Sequence, residues 1–367
     1  MKFKQGIKMQ LKRVEDAITA IKNGEMIIIM DDEGRENEGD IVYAGEFSAP
    51  QKVNFLVTEA RGVLCVSLTN EIAKKLDFPL MVDKNSSNHE TAFTVSVDAK
   101  RAKTGVSAFE RDMTIKLICD DNSRPEDFAK PGHIFPLIAK KGGVLVRTGH
   151  TEASVDICKL AGLKPIAVIC ELMKKDGTMA GNNDNFVLEF AKKHDLKILY
   201  VSDLVYYKFQ YEVLVEKVST KKVQFFGAEC ERIDFIDHLD SAHIVYEFNT
   251  KNDESNATSA PYVRFHSFNN TLKLLEGSEF ETLNKAVAFL RENGGFLVCL
   301  NNANNEMGQK NQINKNNASE SSKVVGIGAQ ILKSLKISDF TLLSTRKNHQ
   351  YIALDGFGLT IKNEILL

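Results

Sequence analysis

Residues Asp31 to Asp40 read DDEGRENEGD, and six of these ten side chains are carboxylates. Folding does not require so much like charge in one place. Two readings stand: a solvated acidic turn, or a site for a hard cation such as Mg2+ or Mn2+, which prefers carboxylate oxygen and would relieve the repulsion. The run follows an apolar strand, where α/β proteins place their sites, and Gly34 and Gly39 let the backbone bend around a ligand. A second segment, GGVLVRTGHTEASVDICKLAG, starts at Gly142. It predicts a strand over Val144–Val146, a turn Arg147-Thr148-Gly149-His150-Thr151, and a helix over Thr151–Ala161. The free N–H groups and dipole of a helix N-terminus favour phosphate, and Arg147 adds a planar fork of donors. Thr151 serves either as helix cap or as phosphate donor. His150 offers the nitrogen ligand that the acidic segment lacks.

Two more residues have the chemistry of proton carriers. KPGHIFPLIA sets His133 between Pro131-Gly132 and Ile134-Phe135-Pro136, which predicts a rigid turn. CELMKKDGTM sets Glu171 directly after the apolar run Ile166–Cys170. Each signal is weak alone. Together they are a histidine and a carboxylate suited to general acid–base work.

These groups need a frame. Leu11, Val14, Ala17, Ile18 and Ile21 recur at helical spacing, and Asn23-Gly24 stops that helix. Met26–Met30 is a buried strand and Ile41–Ala44 the next; Gly62–Leu68, Phe93–Val97, Ile166–Cys170 and Lys197–Val201 follow. A helical pattern also covers Phe186–Lys193. The alternation predicts an α/β (α+β) class, with a mixed-sheet, multilayer N-terminal domain over 1–208. Past Lys208 the composition shifts. Residues 209–260 are strand-rich and polar, 261–300 return to an α/β pattern, 301–322 are almost wholly polar and predict a mobile loop, and GIGAQILKSLKI predicts a helix. A second, smaller α/β domain is expected over 209–367.

Composition narrows the partners. The chain has 367 residues and a net charge of −2, which argues against a nucleic-acid partner. It has no long apolar run, so no membrane span is expected, and no apolar stretch near the N-terminus resembles a signal sequence. The six cysteines lie in apolar runs without C-x-x-C spacing, which predicts buried, reduced thiols in a cytoplasmic protein and no zinc cage.

Taken in order, DDEGRENEGD, GVLCVSLT, HETAFTVSVDA, TGVSAFERDMTI, KPGHIFPL, RTGHTEASVDICKLAG and CELMKKDGTMA resemble 3,4-dihydroxy-2-butanone 4-phosphate synthase over residues 9–206. The resemblance implies conversion of D-ribulose 5-phosphate to 3,4-dihydroxy-2-butanone 4-phosphate and formate, with two Mg2+ or Mn2+ ions per subunit of a homodimer whose site lies near the subunit interface. It makes Glu36 and His150 metal ligands. Arg35, Glu36, Asp40, Thr104, Arg147, Thr148, Gly149, His150, Thr151 and Glu171 become substrate contacts, and His133 and Glu171 become catalytic. Lys130 and Glu110 depart from the family's usual arginine and aspartate. Neither departure removes a named ligand. A metal- or phosphate-binding sensor would need no such acid–base pair.

The second half resembles GTP cyclohydrolase II through YVRFHS, GIGAQIL and TLLSTRKN. That family holds a catalytic zinc on three cysteines. Here Asn269 stands near the first, no cysteine lies between Cys230 and Cys299, and Lys323 and Ser321 replace the arginine and aspartate expected before GIGAQIL. Loss of GTP cyclohydrolase activity is therefore expected. A bifunctional enzyme with relocated ligands is the alternative.

Overall fold

The computed structural model describes residues 2–31, 35–182, 184–249, 260–268, 278–301, 317–345 and 359–367. The chain divides into two compact units, Met1–Lys208 and Phe209–Leu367. In the first, strands β1 (Ile27–Met30), β2 (Gly39–Ala44), β3 (Cys65–Leu68), β4 (Val97–Ala99), β5 (Phe128–Ile138), β6 (Ile166–Glu171) and β7 (Lys197–Tyr200) form one sheet in the order β4-β5-β3-β6-β2-β1-β7. The pairs β3/β5 and β1/β7 are parallel and the rest antiparallel, so the sheet is mixed. Its helices are α1 (Lys2–Lys22), α2 (Pro50–Phe55), α3 (Asn70–Lys75), α4 (Ala108–Cys119), α5 (His150–Leu160), α6 (Asn185–His194) and α7 (Val201–Tyr211).

β1 explains the uninterrupted apolar run. Successive side chains of a strand point to opposite faces, and here both faces are covered. Ile28 and Met30 join a cluster with Val53 of α2, Ile115 of α4 and Phe190 of α6. Ile27 and Ile29 join another with Val14, Ala17 and Ile21 of α1, Ile157 of α5 and Leu204 of α7. The unit is thus a helix–sheet–helix sandwich. Each buried isoleucine contributes about 1.5–3 kcal/mol. Gly24 ends α1 at φ +77, where a Cβ would sit 2.9 Å from the Phe47 ring, so only glycine fits without strain.

Four elements of this unit differ from expectation. Of Gly62–Leu68 only Cys65–Leu68 is strand. Phe93–Val97 is not one strand: Phe93 makes an isolated bridge to Leu137, and β4 starts only at Val97. The Thr94 and Val95 amides bond to different partners, Pro136 and Pro79, so no ladder forms before β4. Val144–Val146 is not a strand but part of a 3-10 turn, Gly143–Leu145. Gly142 and Gly143 both take positive φ and reverse the chain there, while Val144 and Leu145 are apolar because they are buried. His133 lies not on a free turn but within β5. Val97 pairs with Ile134 and Asp98 with Ala129, so Lys130 to His133 bulge out of the ladder.

The strands of the second unit are β8 (Val215–Phe225), β9 (Ala228–Asp237), β10 (Ala242–Phe248), β11 (Tyr262–Phe268), β12 (Gly295–Asn301), β13 (Asp339–Ser344) and β14 (Thr360–Leu366). Their order in the sheet is β14-β13-β11-β12-β10-β9-β8. Helix α8 (Ser278–Asn293) packs Leu283, Val287 and Leu290 against Cys230, Leu297, Cys299 and Leu343. Helix α9 (Asn317–Ser334) includes Asn317–Ser322, so the end of the polar stretch is helical, not loop. Residues 302–316 of the expected loop and Asn269 lie outside the described residues. All six cysteines are unpaired and buried, as expected. No helix among the described residues is long and apolar enough to cross a membrane.

Candidate active site

Met30 pairs with Gly39 in the β1–β2 hairpin, so Asp31 and residues 35–38 lie at its turn and Asp40 already lies in β2. Asp31 organises it from within. Its Oδ1 accepts the Glu38 amide at 3.1 Å; its Oδ2 accepts the Glu36 amide at 3.3 Å and Arg35 Nη1 at 2.6 Å. Arg35 Nη1 also lies 2.8 Å from Glu36 Oε2. His150, first residue of α5, is buried and meets the loop from the side. Its Nδ1 is 3.6 Å from Glu36 Oε2 and 3.8 Å from Asp40 Oδ1, and its Nε2 is 3.2 Å from the Glu38 carbonyl. Asp31, Glu36 and His150 form a group with ligand atoms within 4.8 Å of one another. Both oxygens of Asp31 already accept hydrogen bonds within the loop.

β2 and β6 bring the acids together. Asp40 pairs directly with Glu171 across the antiparallel ladder, which sets both on one face. Glu171 is steadied by the Val63 amide, 2.7 Å from its Oε2. The resulting open cavity has a volume of about 390 Å3; Arg35, Glu36, Glu38, Asp40, His89, Thr91, Arg147, His150, Thr151 and Glu171 line it.

Charge in this cavity is unbalanced toward the negative. Burial raises the Glu36 carboxyl, but His150 and Arg35 outweigh that and bring it to about 2. Burial lowers His150, yet Asp40 and Glu36 push it up to about 9. Asp40 is raised to about 7, first by burial and then by Glu171 and Glu36, against the pull of His150. Glu38 is raised by burial and by the same acids. Among the described residues, Asp40 Oδ1 has no hydrogen-bond partner although it is buried. A buried, unpartnered carboxylate oxygen among further acids and one imidazole is the donor set a divalent cation fits.

The loop after β5 reaches the cavity through Arg147. Its Nη1 lies 2.5 Å from Oε2 of buried Glu152. Gly149 is the N-cap of α5, so Thr151 is inside the helix and does not cap it. Thr151 lines the cavity; Thr148 and Gly149 precede it in the turn without lining it.

His133 and Thr104 do not line the cavity either. They belong to a second group. His133 Nδ1 is 2.7 Å from Asp98 Oδ2, and its amide donates to Asp98 Oδ1 at 2.9 Å. Thr104 Oγ1 donates to Glu110 Oε2 at 3.0 Å. Between them Gly105 takes φ +76, and a Cβ there would lie 2.0 Å from Asp98 Oδ2 and 2.7 Å from His133 Nδ1. Residues missed from sequence are Asp31 as loop organiser, His89 and Thr91 as cavity wall, Asp98 behind His133, and Glu152 behind Arg147. The roles of His89, Thr91 and Asp98 rest on contacts distant in sequence, whereas Asp31 and Glu152 act on residues four to seven positions away.

A mixed-sheet α/β domain with an acid-rich, cation-fitting cavity beside a helix N-terminus defines a class of metal-assisted enzyme. Comparison with known proteins narrows the class. Residues 15–207 match the family 3,4-dihydroxy-2-butanone 4-phosphate synthase, and residues 216–366 match GTP cyclohydrolase II. A 3,4-dihydroxy-2-butanone 4-phosphate synthase of Helicobacter hepaticus is 57% identical over 97% of this chain and 99% of its own. The crystal structure of RibBX, a two-domain 3,4-dihydroxy-2-butanone 4-phosphate synthase from A. baumannii, superposes with a TM-score of 0.77 at 35% identity, covering 96% of this chain and 99% of that one. A 3,4-dihydroxy-2-butanone 4-phosphate synthase crystallised in complex with two magnesium ions matches with a TM-score of 0.51 at 37% identity, over 54% of this chain and 97% of its own. The chain belongs to the 3,4-dihydroxy-2-butanone 4-phosphate synthase family, fused to a GTP cyclohydrolase II-like domain, as its motifs led us to expect.

Proposed function

We propose that this chain converts D-ribulose 5-phosphate to 3,4-dihydroxy-2-butanone 4-phosphate and formate for riboflavin biosynthesis, as a cytoplasmic homodimer that uses Mg2+ or Mn2+. The observation that carries this reading is Asp40 Oδ1, buried without a hydrogen bond, 3.8 Å from His150 Nδ1 and on the strand position opposite Glu171. Glu36 and His150 would hold the cation. When bound, it supplies Lewis-acid polarisation of the substrate's oxygens. The atoms of the five-carbon substrate equal the sum of the two products, so no oxidant or co-substrate is needed. The chain must take a proton from carbon beside the carbonyl and return protons where water leaves and later adds. Asp40 and Glu171 would serve those transfers. The α5 N-terminus, with Arg147 and Thr151, would take the phosphate.

His133 and Thr104 enter the same scheme from a partner. Neither lines the cavity of its own subunit, and nearby Val106 and Phe109 are 50% and 71% exposed. An isologous dimer would cover that face and bring each subunit's His133 to the other's cavity. Mixing inactive Glu36→Gln and His133→Asn proteins tests this. Random exchange gives hybrids with one intact site each, so about a quarter of wild-type activity returns. No recovery after confirmed subunit exchange would place His133 in its own subunit's chemistry.

The second unit is proposed to lack GTP cyclohydrolase activity. Its two cysteines, Cys230 and Cys299, are packed in the hydrophobic core against α8, and burial pushes the Cys299 thiol up to about 12. Neither suits a zinc thiolate. The substrate assignment is tested by NMR on protein incubated with ribulose 5-phosphate and Mg2+. Formate and a four-carbon phosphorylated ketone should appear in equal amounts. Unchanged ribulose 5-phosphate would overturn the assignment.

A further inference from the structure

The Arg147 guanidinium lines the cavity, yet most of it is committed within the chain. Nε–H and one Nη2–H donate to the His89 carbonyl at 3.2 and 3.1 Å; Nη2 also donates to Thr91 Oγ1 at 2.8 Å, and Nη1 to Glu152 Oε2 at 2.5 Å. An arginine has five such donors, so a single Nη1–H is left for the cavity. A bidentate phosphate fork, the role its sequence context suggests, needs two.

Glu152 is the hub of this arrangement. It is 1% exposed, and its second oxygen accepts the Lys140 amide at 3.0 Å. Lys140 and Arg147 bracket the Gly142–Gly143 reversal, so one carboxylate pins both ends of that loop. Through Arg147 it also reaches the His89–Thr91 segment, which is distant in sequence. His89 Nδ1 stands 4.0 Å from Glu36 Oε1 across the cavity.

We propose that Glu152 is a positioning residue: it sets Arg147 as a strut that holds the His89–Thr91 wall in place and leaves one N–H for the substrate phosphate. The proposal rests on the synthase reading above, but half of its test does not need turnover. In Glu152→Gln the amide nitrogen must face either the Lys140 amide or Arg147, so one contact is lost whichever way it turns.

Hydrogen exchange of the full chain without substrate should show faster exchange at the 89–91 amides in Glu152→Gln and in Arg147→Ala. Kinetically, the KM of Glu152→Gln for ribulose 5-phosphate should rise about tenfold to a hundredfold, the worth of one charge-assisted hydrogen bond, with kcat changed less than about threefold. Arg147→Ala/Glu152→Gln should be no worse than Arg147→Ala alone. Should Glu152→Gln fail to fold, Thr91→Val removes one end of the strut at nearly constant volume and should raise KM by a few fold. The proposal fails if exchange at 89–91 is unchanged, if KM falls because Arg147 is freed for the anion, or if the double variant's losses multiply. A wild-type protein that makes no formate would instead sink the synthase reading and leave the exchange result standing.

Discussion

The two units both carry seven-stranded sheets among the described residues, but they differ in what lies at the strand ends. In the first, the β1–β2 loop and the β6 terminus deliver four acids, and α5 adds a histidine, to one cavity. These groups are costly to bury together, and packing alone would not select them. Among the described residues of the second, Cys230 and Cys299 sit in the core with Leu290 and Leu297, and His243 is tied to Asp237 at 3.2 Å and to the Asn301 amide at 3.2 Å. Under the proposal that the second unit lacks cyclohydrolase activity, the contrast teaches that a fold can outlast its chemistry, and strained electrostatics are a better guide to a site than the sheet beneath it.

The sharpest way to break this contrast is to remove the proposed cation ligands. Glu36→Gln and His150→Ala should each abolish formate release and calorimetrically detected Mg2+ binding, with the fold retained by circular dichroism. Near-normal turnover in either would move the cation elsewhere. Next come the proton carriers. Glu171→Gln and His133→Asn should still bind Mg2+ but turn over about 10²–10⁴-fold more slowly. A raised KM with normal kcat would make the residue a substrate contact only.

The remaining tests concern scaffold. Ile29→Ala, in the doubly covered strand β1, should cost about 2–5 kcal/mol in denaturant unfolding while KM stays unchanged. Cys299→Ala should cost only about 1 kcal/mol and leave formate release untouched. A larger effect on catalysis than on stability would mean that this thiol does more than fill the core.

Much of this was legible in the sequence where one local pattern had one physical cause. The run Met26–Met30 betrayed a strand covered on both sides, and Thr151–Ala161 a helix. The density of acids in Asp31–Asp40 pointed to a place where like charge gathers for a reason, and Glu36, Glu38 and Asp40 do line one cavity. Glu36 and His150, far apart in the chain, meet as the resemblance implied. Other features were not legible. Val144–Leu145 are apolar because they are buried, and apolar character does not separate a short strand from a buried turn. The KPGH stretch carries two turn-forming residues, yet β4 pairs on both sides of its bulge. Arg147 looked like a free anion fork because three of its hydrogen bonds go to a carbonyl and a hydroxyl of the 89–91 segment, which no local pattern links to it, and only Glu152 is a near neighbour in the chain.

The most direct test of the central claim uses one product. Formate would leave ribulose 5-phosphate in the first unit's reaction, and GTP in the reaction of the family that the second unit resembles. Wild-type protein and Glu36→Gln should be given ribulose 5-phosphate with Mg2+ and, separately, GTP with Zn2+. The expected result is formate only from wild type with ribulose 5-phosphate. Formate from GTP, or from ribulose 5-phosphate with Glu36→Gln, would contradict the account.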